Sequence, residues 1–226
     1  MLIIGHRGGG GSLPENTLTA IKAGISADID ILHIDVRMLR DNTLILLHDA
    51  DLKRTHGIDG RLKDLDYPSL EKLCSSNCPP TLDSVLSKYL GKILLNIELR
   101  SDGSAAELVK LLRQYKNHQA VENTLISSFK ISELSAAREL DQNLNLALLL
   151  ANNPFAFVPV ERSLHLAAVG FHRLHTNRLA IEIAKKAGMF TFAYTANRSK
   201  SVAHLAELNL DGIATDQPKR IISELH

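Results

Sequence analysis

His6 and Arg7 directly follow the apolar run Leu2–Gly5, and His48 and Asp49 directly follow Leu44-Ile45-Leu46-Leu47. His33 and Asp35 lie two apart near the end of Ile31–Val36. Asn96, Glu98 and Arg100 alternate at the end of Ile93–Glu98. Residues two apart in a strand share a face, so each of these sets projects together. Asp35 and Glu98 are hard oxygen donors, and burying them is costly unless something compensates their charge. A divalent cation between them is one compensation, with His33 as a nitrogen donor. The bland alternative is that the carboxylates pair with Arg7, Arg37 or Arg100. Histidine titrates near neutral pH, so His6 and His48 form a candidate proton-transfer pair, one as base and one as acid. His6-Arg7-Gly8-Gly9-Gly10-Gly11 reads as an anion loop, because glycine permits close backbone approach and Arg7 offers a forked donor to phosphate. No Gly-Lys-Ser/Thr follows it, and no suitable acid ends a second strand, so it is neither a P-loop nor a dinucleotide fingerprint.

The other histidines read more blandly. His118, His204 and His226 read as surface residues. His56 falls in a long irregular stretch. His172 and His175 follow a strand and resemble a metal pair only weakly. Cys74 and Cys78 are too few for a disulfide framework and lack a second ligand pair, so they read as reduced structural thiols.

What must hold these groups is an alternation of short β-rich runs with longer amphipathic stretches, the pattern of a parallel α/β fold. The candidate strands are Leu2–Gly5, Ile31–Val36, Ile93–Glu98, Thr124–Ser127, Asn145–Leu149, Ala167–Gly170, Phe190–Tyr194 and Asp211–Ala214. Eight strands in 226 residues is about 28 residues per unit, which favours a (β/α)8 TIM barrel over an open doubly wound sheet. Helical patterns occupy Asn16–Ser26, Ala105–Tyr115, Ser132–Leu140 and Asn177–Ala187, and Asp216 is a candidate cap for a final helix. A short extra strand, Thr43–Leu47, follows the Asp41-Asn42 turn signal. Residues 50–80 are a short insertion after strand 2, and the chain reads as one domain over 1–226. In such a barrel, chemistry gathers at the C-terminal ends of strands, where these histidines, arginines and carboxylates stand. Phe129, Tyr194, Thr215 and Asp216 also follow strands.

The chain carries 26 Lys+Arg against 25 Asp+Glu, a net charge of +1. That balance argues against nucleic-acid or membrane-surface partners, which need a basic excess. No apolar run approaches the roughly 20 residues that cross a bilayer, and the N-terminal run is too short for a signal peptide. The expected location is cytoplasmic, with no stable membrane insertion.

Taken in order, the motifs resemble the glycerophosphodiester phosphodiesterase family over almost the whole chain. They are His6-Arg7-Gly8 with Pro14-Glu15-Asn16-Thr17, His33-Ile34-Asp35, His48-Asp49, Arg54-Thr55-His56-Gly57, Pro80-Thr81-Leu82, Asn96-Ile97-Glu98-Leu99-Arg100, Ser127-Ser128-Phe129, Tyr194-Thr195-Ala196-Asn197 and Gly212-Ile213-Ala214-Thr215-Asp216-Gln217-Pro218. The resemblance implies a barrel that hydrolyses small-molecule glycerophosphodiesters to sn-glycerol 3-phosphate and an alcohol. It implies His6 and His48 as the catalytic pair and a divalent cation, Mg2+ or Ca2+, on Asp35 and Glu98, with His33 in place of a glutamate. It places substrate contacts at Arg7, Arg100, Phe129 and Tyr194, and the insertion over the glycerol end. Two departures stand out. Imidazole at position 33 suits Mn2+ or another transition ion better than Mg2+ or Ca2+. Arg100 keeps the charge of the family's usual lysine but not its shape. Two other readings remain: a catalytically silent phosphodiester-binding barrel, motivated by the missing glutamate, and a lysophospholipase D-type enzyme. The latter needs an apolar groove at the mouth, for which residues 152–158 are candidates.

Overall fold

The strands form where the alternation places them. A computed structural model describes residues 1–225, so His226 lies outside the described residues. The strands are β1 (Leu2–Gly5), β2 (Ile31–Met38), β3 (Leu44–Leu46), β4 (Leu94–Leu99), β5 (Thr124–Ser128), β6 (Asn145–Leu150), β7 (Leu166–His172), β8 (Phe190–Tyr194) and β9 (Gly212–Thr215). All but β3 run parallel, each hydrogen-bonded to the next, and β1 pairs with both β9 and β2. The ring is closed, a (β/α)8 TIM barrel. β3 is a ninth, antiparallel strand on β2, with Val36 opposite Leu46 and Met38 opposite Leu44. Its turn uses Asn42 at φ 66° and the Asp41 carboxylate, which accepts from the Thr43 N–H at 3.1 Å.

Alternation along each strand separates two cores. Ile4, Ile31, Ala147, Leu149, Ala168, Phe192 and Ala214 fill the barrel interior. The opposite face, including Ile3, Leu32, Ile34, Ile97, Ile126, Val169 and Ile213, packs under the helices. The helices are α1 (Leu18–Ile25), α2 (Lys53–His56), α3 (Tyr67–Cys74), α4 (Leu82–Tyr89), α5 (Ser104–Leu112), α6 (His118–Glu122), α7 (Ile131–Leu140), α8 (Glu161–Leu164), α9 (Arg178–Lys186), α10 (Ser199–Glu207) and α11 (Pro218–Leu225). Thr17, Thr81 and Asn177 cap α1, α4 and α9 by accepting a backbone N–H three residues on. Helix α1 begins later than its apolar pattern because Asn16 is left-handed, at φ 57°, and Thr17 takes the cap.

The insertion folds on β3. Leu52, Leu62, Leu70 and Cys74 bury against Leu39, Ile45 and Leu47 as a satellite core. Cys74 and Cys78 are free thiols, and burial raises the pKa of both. Residues 152–158 do not supply the apolar groove. Phe157 is fully buried edge-on against Phe171, and Phe155 packs on the same core. Among the described residues no helix is long and apolar enough to cross a membrane.

Candidate active site

The loop after β1 turns so tightly that Arg7 is left-handed, at φ 52° and ψ 40°. A residue with a Cβ is strained there. The surroundings hold it: the Arg7 carbonyl accepts from the Asn16 N–H at 2.9 Å, and the Arg7 N–H faces His33 Nδ1 at 3.3 Å. The Pro14–Thr17 segment explains itself the same way. Asn16 Nδ2 donates to Asp35 at 2.9 Å, and Asn16 Oδ1 accepts from the Asp35 N–H at 3.0 Å. Glu15 accepts from Arg7 at 3.0 Å and from Arg54 at 2.5 Å. The segment therefore clamps the arginine and one buried carboxylate while its threonine starts α1.

His33, Asp35 and Glu98 project into the barrel from β2 and β4 in register, with His33 opposite Asn96 and Asp35 opposite Glu98. All three are buried, and one ligand atom of each lies within 4.8 Å of the others. Two arginines of the bland alternative, Arg7 and Arg100, are also their partners, whereas Arg37 donates to the His48 and Arg100 carbonyls. Arg7 Nε is 3.3 Å from Asp35, and Arg100 Nη1 is 3.4 Å from Asp35 and bonded to Glu98. His33 Nε2 lies 3.1 Å from Glu98 Oε2. Burial pushes the Asp35 carboxyl up, but His33, Arg7 and Arg100 outweigh it and hold it well below the usual carboxylate range. Two carboxylates and an imidazole converging at a buried position fit a divalent cation of borderline character.

His6 and His48 are each held by a carboxylate. His6 Nδ1 lies 2.6 Å from Asp216, whose other oxygen accepts from Asn197 at 2.6 Å. Asn197 is fixed in turn, because its Oδ1 accepts from the Asp216 N–H and the Thr215 hydroxyl. The carboxylate that looked like a helix cap thus faces His6. His48 Nδ1 lies 2.6 Å from Asp49, which also accepts from Arg54 at 2.5 Å. The Arg54 bond, followed by that of His48, brings Asp49 down to about 2. Arg37 and Arg100 donate to the His48 carbonyl, Arg37 through Nε at 3.0 Å and Nη2 at 2.8 Å and Arg100 through Nε at 3.0 Å. With Nδ1 committed in both rings, Nε2 is the free nitrogen of each. Burial first, then Arg100 and Arg7, lower the His48 pKa against the opposing pull of Asp49.

These groups meet in one cleft of about 420 Å³ at the C-terminal mouth of the barrel. His6, Arg7, His33, His48, Glu98, Arg100, Phe129 and Tyr194 all line it, and Asp35 lies buried beneath. The Phe129 and Tyr194 rings meet edge-on at 5.8 Å, and the Tyr194 hydroxyl donates to the Leu150 carbonyl. His56 stays outside, on the Asn77 carbonyl of the insertion. Arg7 and Arg100 each have Nη2 without a protein hydrogen bond among the described residues, a pair of cationic donors for an anion.

The sequence profile of the glycerophosphoryl diester phosphodiesterase family matches residues 6–220. The chain belongs to that family. It is accordingly a phosphodiesterase, a phosphoric diester hydrolase. It is 32% identical to YhdW of Bacillus subtilis strain 168 over 243 residues, covering 99% of this chain and 98% of that one. It is 28% identical to a glycerophosphodiester phosphodiesterase of Caldanaerobacter subterraneus over 239 residues, 98% of this chain and 96% of that one. Its fold superimposes on an Oleispira antarctica phosphodiesterase solved with the product sn-glycerol 3-phosphate. That match has a TM-score of 0.87 and 26% identity, covering 100% of this chain and 96% of that chain. For this family member, the residue types pointed to His6, Arg7, His33, His48, Glu98, Arg100, Phe129 and Tyr194 in the cleft lining, but not to Arg173, which also lines it, nor to the groups that support the two histidines. Asp216 and Asn197 behind His6, and Arg54 and Glu15 linking Asp49 to Arg7, were missed as a network. Position was the available signal, because Asp216 directly follows β9 at the same barrel end.

Proposed function

We propose that this enzyme hydrolyses glycerophosphodiesters to sn-glycerol 3-phosphate and an alcohol, with a divalent cation held by His33, Asp35 and Glu98. The observation that carries the reading is the convergence of two carboxylate-backed histidines, two arginines with free Nη2 atoms and one acid–imidazole trio on a single cleft. A bound cation supplies charge neutralisation at a phosphoryl oxygen. Arg7 and Arg100 bind the phosphodiester oxygens and meet the charge that grows on them. His48, kept neutral by its lowered pKa, takes the proton of the nucleophile: either a water, or the neighbouring glycerol hydroxyl, whose attack gives a cyclic phosphate that a water then opens to sn-glycerol 3-phosphate. His6 gives a proton from Nε2 to the departing alcohol oxygen. The different backing of the two rings supports this division. Behind His6 Nδ1, Asp216 accepts a further bond from the neutral Asn197, whereas behind His48 Nδ1, Asp49 is shared with the cationic Arg54.

Purified protein incubated with sn-glycero-3-phosphocholine and Mn2+ should release sn-glycerol 3-phosphate and choline, and EDTA should stop the release. Release of phosphocholine, or no release with any divalent cation, contradicts the reading.

A further inference from the structure

The cleft has a far wall that the chemistry above does not use. Around the closed ring, β7 stands four strands from β2 in either direction, directly across the barrel from His33 and Asp35. His172 ends β7, and Arg173 follows it; both line the cleft. His172 sits edge-on to Tyr194 at 5.8 Å and tilted against His175 at 5.3 Å. The Arg173 N–H donates to the Tyr194 carbonyl at 2.9 Å, which fixes this corner to the end of β8. Among the described residues, the Arg173 guanidinium has no ion pair and no hydrogen bond. No acid faces the corner: burial, His175 and Arg173 all lower the His172 pKa, and no carboxylate opposes them. Among the described residues Glu98 is the only carboxylate in the cleft lining, and Arg100 and His33 already hold it. A cationic head group would therefore meet arginines and no free acid. A second anion would meet the unpaired Arg173 guanidinium and the Nε2 side of the His172 ring, whose Nδ1 accepts from the Leu174 N–H at 3.4 Å, partners of the kind that recognise phosphate.

We propose that the β7–β8 side of the cleft is the subsite of the departing alcohol, and that Arg173, with His172, selects alcohols that bear a phosphate of their own. This rests on the reading that the reacting phosphodiester lies between Arg7 and Arg100 and that the insertion side takes the glycerol.

Three sn-glycero-3-phospho diesters with the same two-carbon alcohol test it, one ending in trimethylammonium (choline), one in hydroxyl and one in phosphate. With saturating Mn2+, wild-type kcat/KM should rank phosphate above hydroxyl above choline, with roughly tenfold between the extremes, the worth of about 1.4 kcal/mol. Arg173→Glu should remove or invert the ranking, and Arg173→Lys should largely restore it. Arg173 is exposed, so these changes do not threaten the fold. A wild-type preference for choline, or an equal loss on all three diesters in Arg173→Glu, overturns the proposal. If wild type hydrolyses none of them, the functional reading fails by itself. Calorimetric binding of the same three diesters then decides the subsite: tighter binding of the phosphate-bearing one that Arg173→Glu abolishes supports it, and equal binding refutes it.

Discussion

At the scale of single residues, the site consists of side chains that would be costly to bury alone, each given a partner. His6 and His48 have their Nδ1 atoms tied to carboxylates, which leaves Nε2 as the nitrogen open to the proposed proton transfers. His6→Ala and His48→Ala should each lower kcat by about 10²–10⁴-fold, the usual worth of a general acid or base, with unchanged melting curves. Near-wild-type kcat in either variant would remove the paired-histidine mechanism. Asp216→Asn presents an amide N–H where His6 needs an acceptor, and so selects the wrong tautomer. Its kcat should fall by about 10²-fold or more while KM moves little, as read by steady-state kinetics. The lowered pKa of His48 sets a sign as well. The base works when neutral, so kcat/KM should hold as pH falls through about 6.5, the ordinary histidine value, and decline only below it. A pH profile whose acid limb lies above 6.5 would contradict that assignment. The histidines were legible because each follows a strand. The pairing of Asp216 with His6 was not, because the two are 210 residues apart in sequence and only barrel closure brings β9 beside β1.

At the scale of elements, position is enforced by close packing of the β1 loop on α1. A Cβ on Gly24 would sit 2.0 Å from the Gly8 carbonyl oxygen. Helix propensity favours alanine over glycine by about 1 kcal/mol. Overpacking against backbone costs about 1–3 kcal/mol and cannot be relieved by turning a side chain. The clash should win: Gly24→Ala should lower Tm and also lower kcat, because Gly8 directly follows His6 and Arg7. A variant with raised Tm and full activity would show that the loop tolerates the shift. The eight strands and their order of use were readable from alternation and spacing, and the extra strand from its Asp41-Asn42 turn. The fold of residues 50–80 was not readable, since its short helices carry weak periodicity and its core is shared with Leu39, Ile45 and Leu47. Phe155 and Phe157 show the same limit. An apolar run after a strand reads equally as groove or core, and only packing against Phe171 decides.

At the scale of the molecule, a chain of net charge +1 gathers a dense set of ionisable groups at one end of its barrel. Two buried carboxylates, the arginines on them and four imidazoles share one barrel mouth. Such an arrangement is a poor stabiliser by itself, because buried ion pairs rarely repay their desolvation, and it makes sense as a site for a charged substrate and a cation. The central claim is that His33, with Asp35 and Glu98, holds that cation. Metal-stripped wild type and His33→Glu should be titrated with Mn2+, Mg2+ and Ca2+, with glycerophosphocholine turnover followed at each concentration and Mn2+ binding read directly by electron paramagnetic resonance. An imidazole ligand predicts that wild type favours Mn2+ and that His33→Glu, with three carboxylates, shifts toward Mg2+ or Ca2+. The same ranking of the three metals with equal apparent affinities in both proteins would contradict the account.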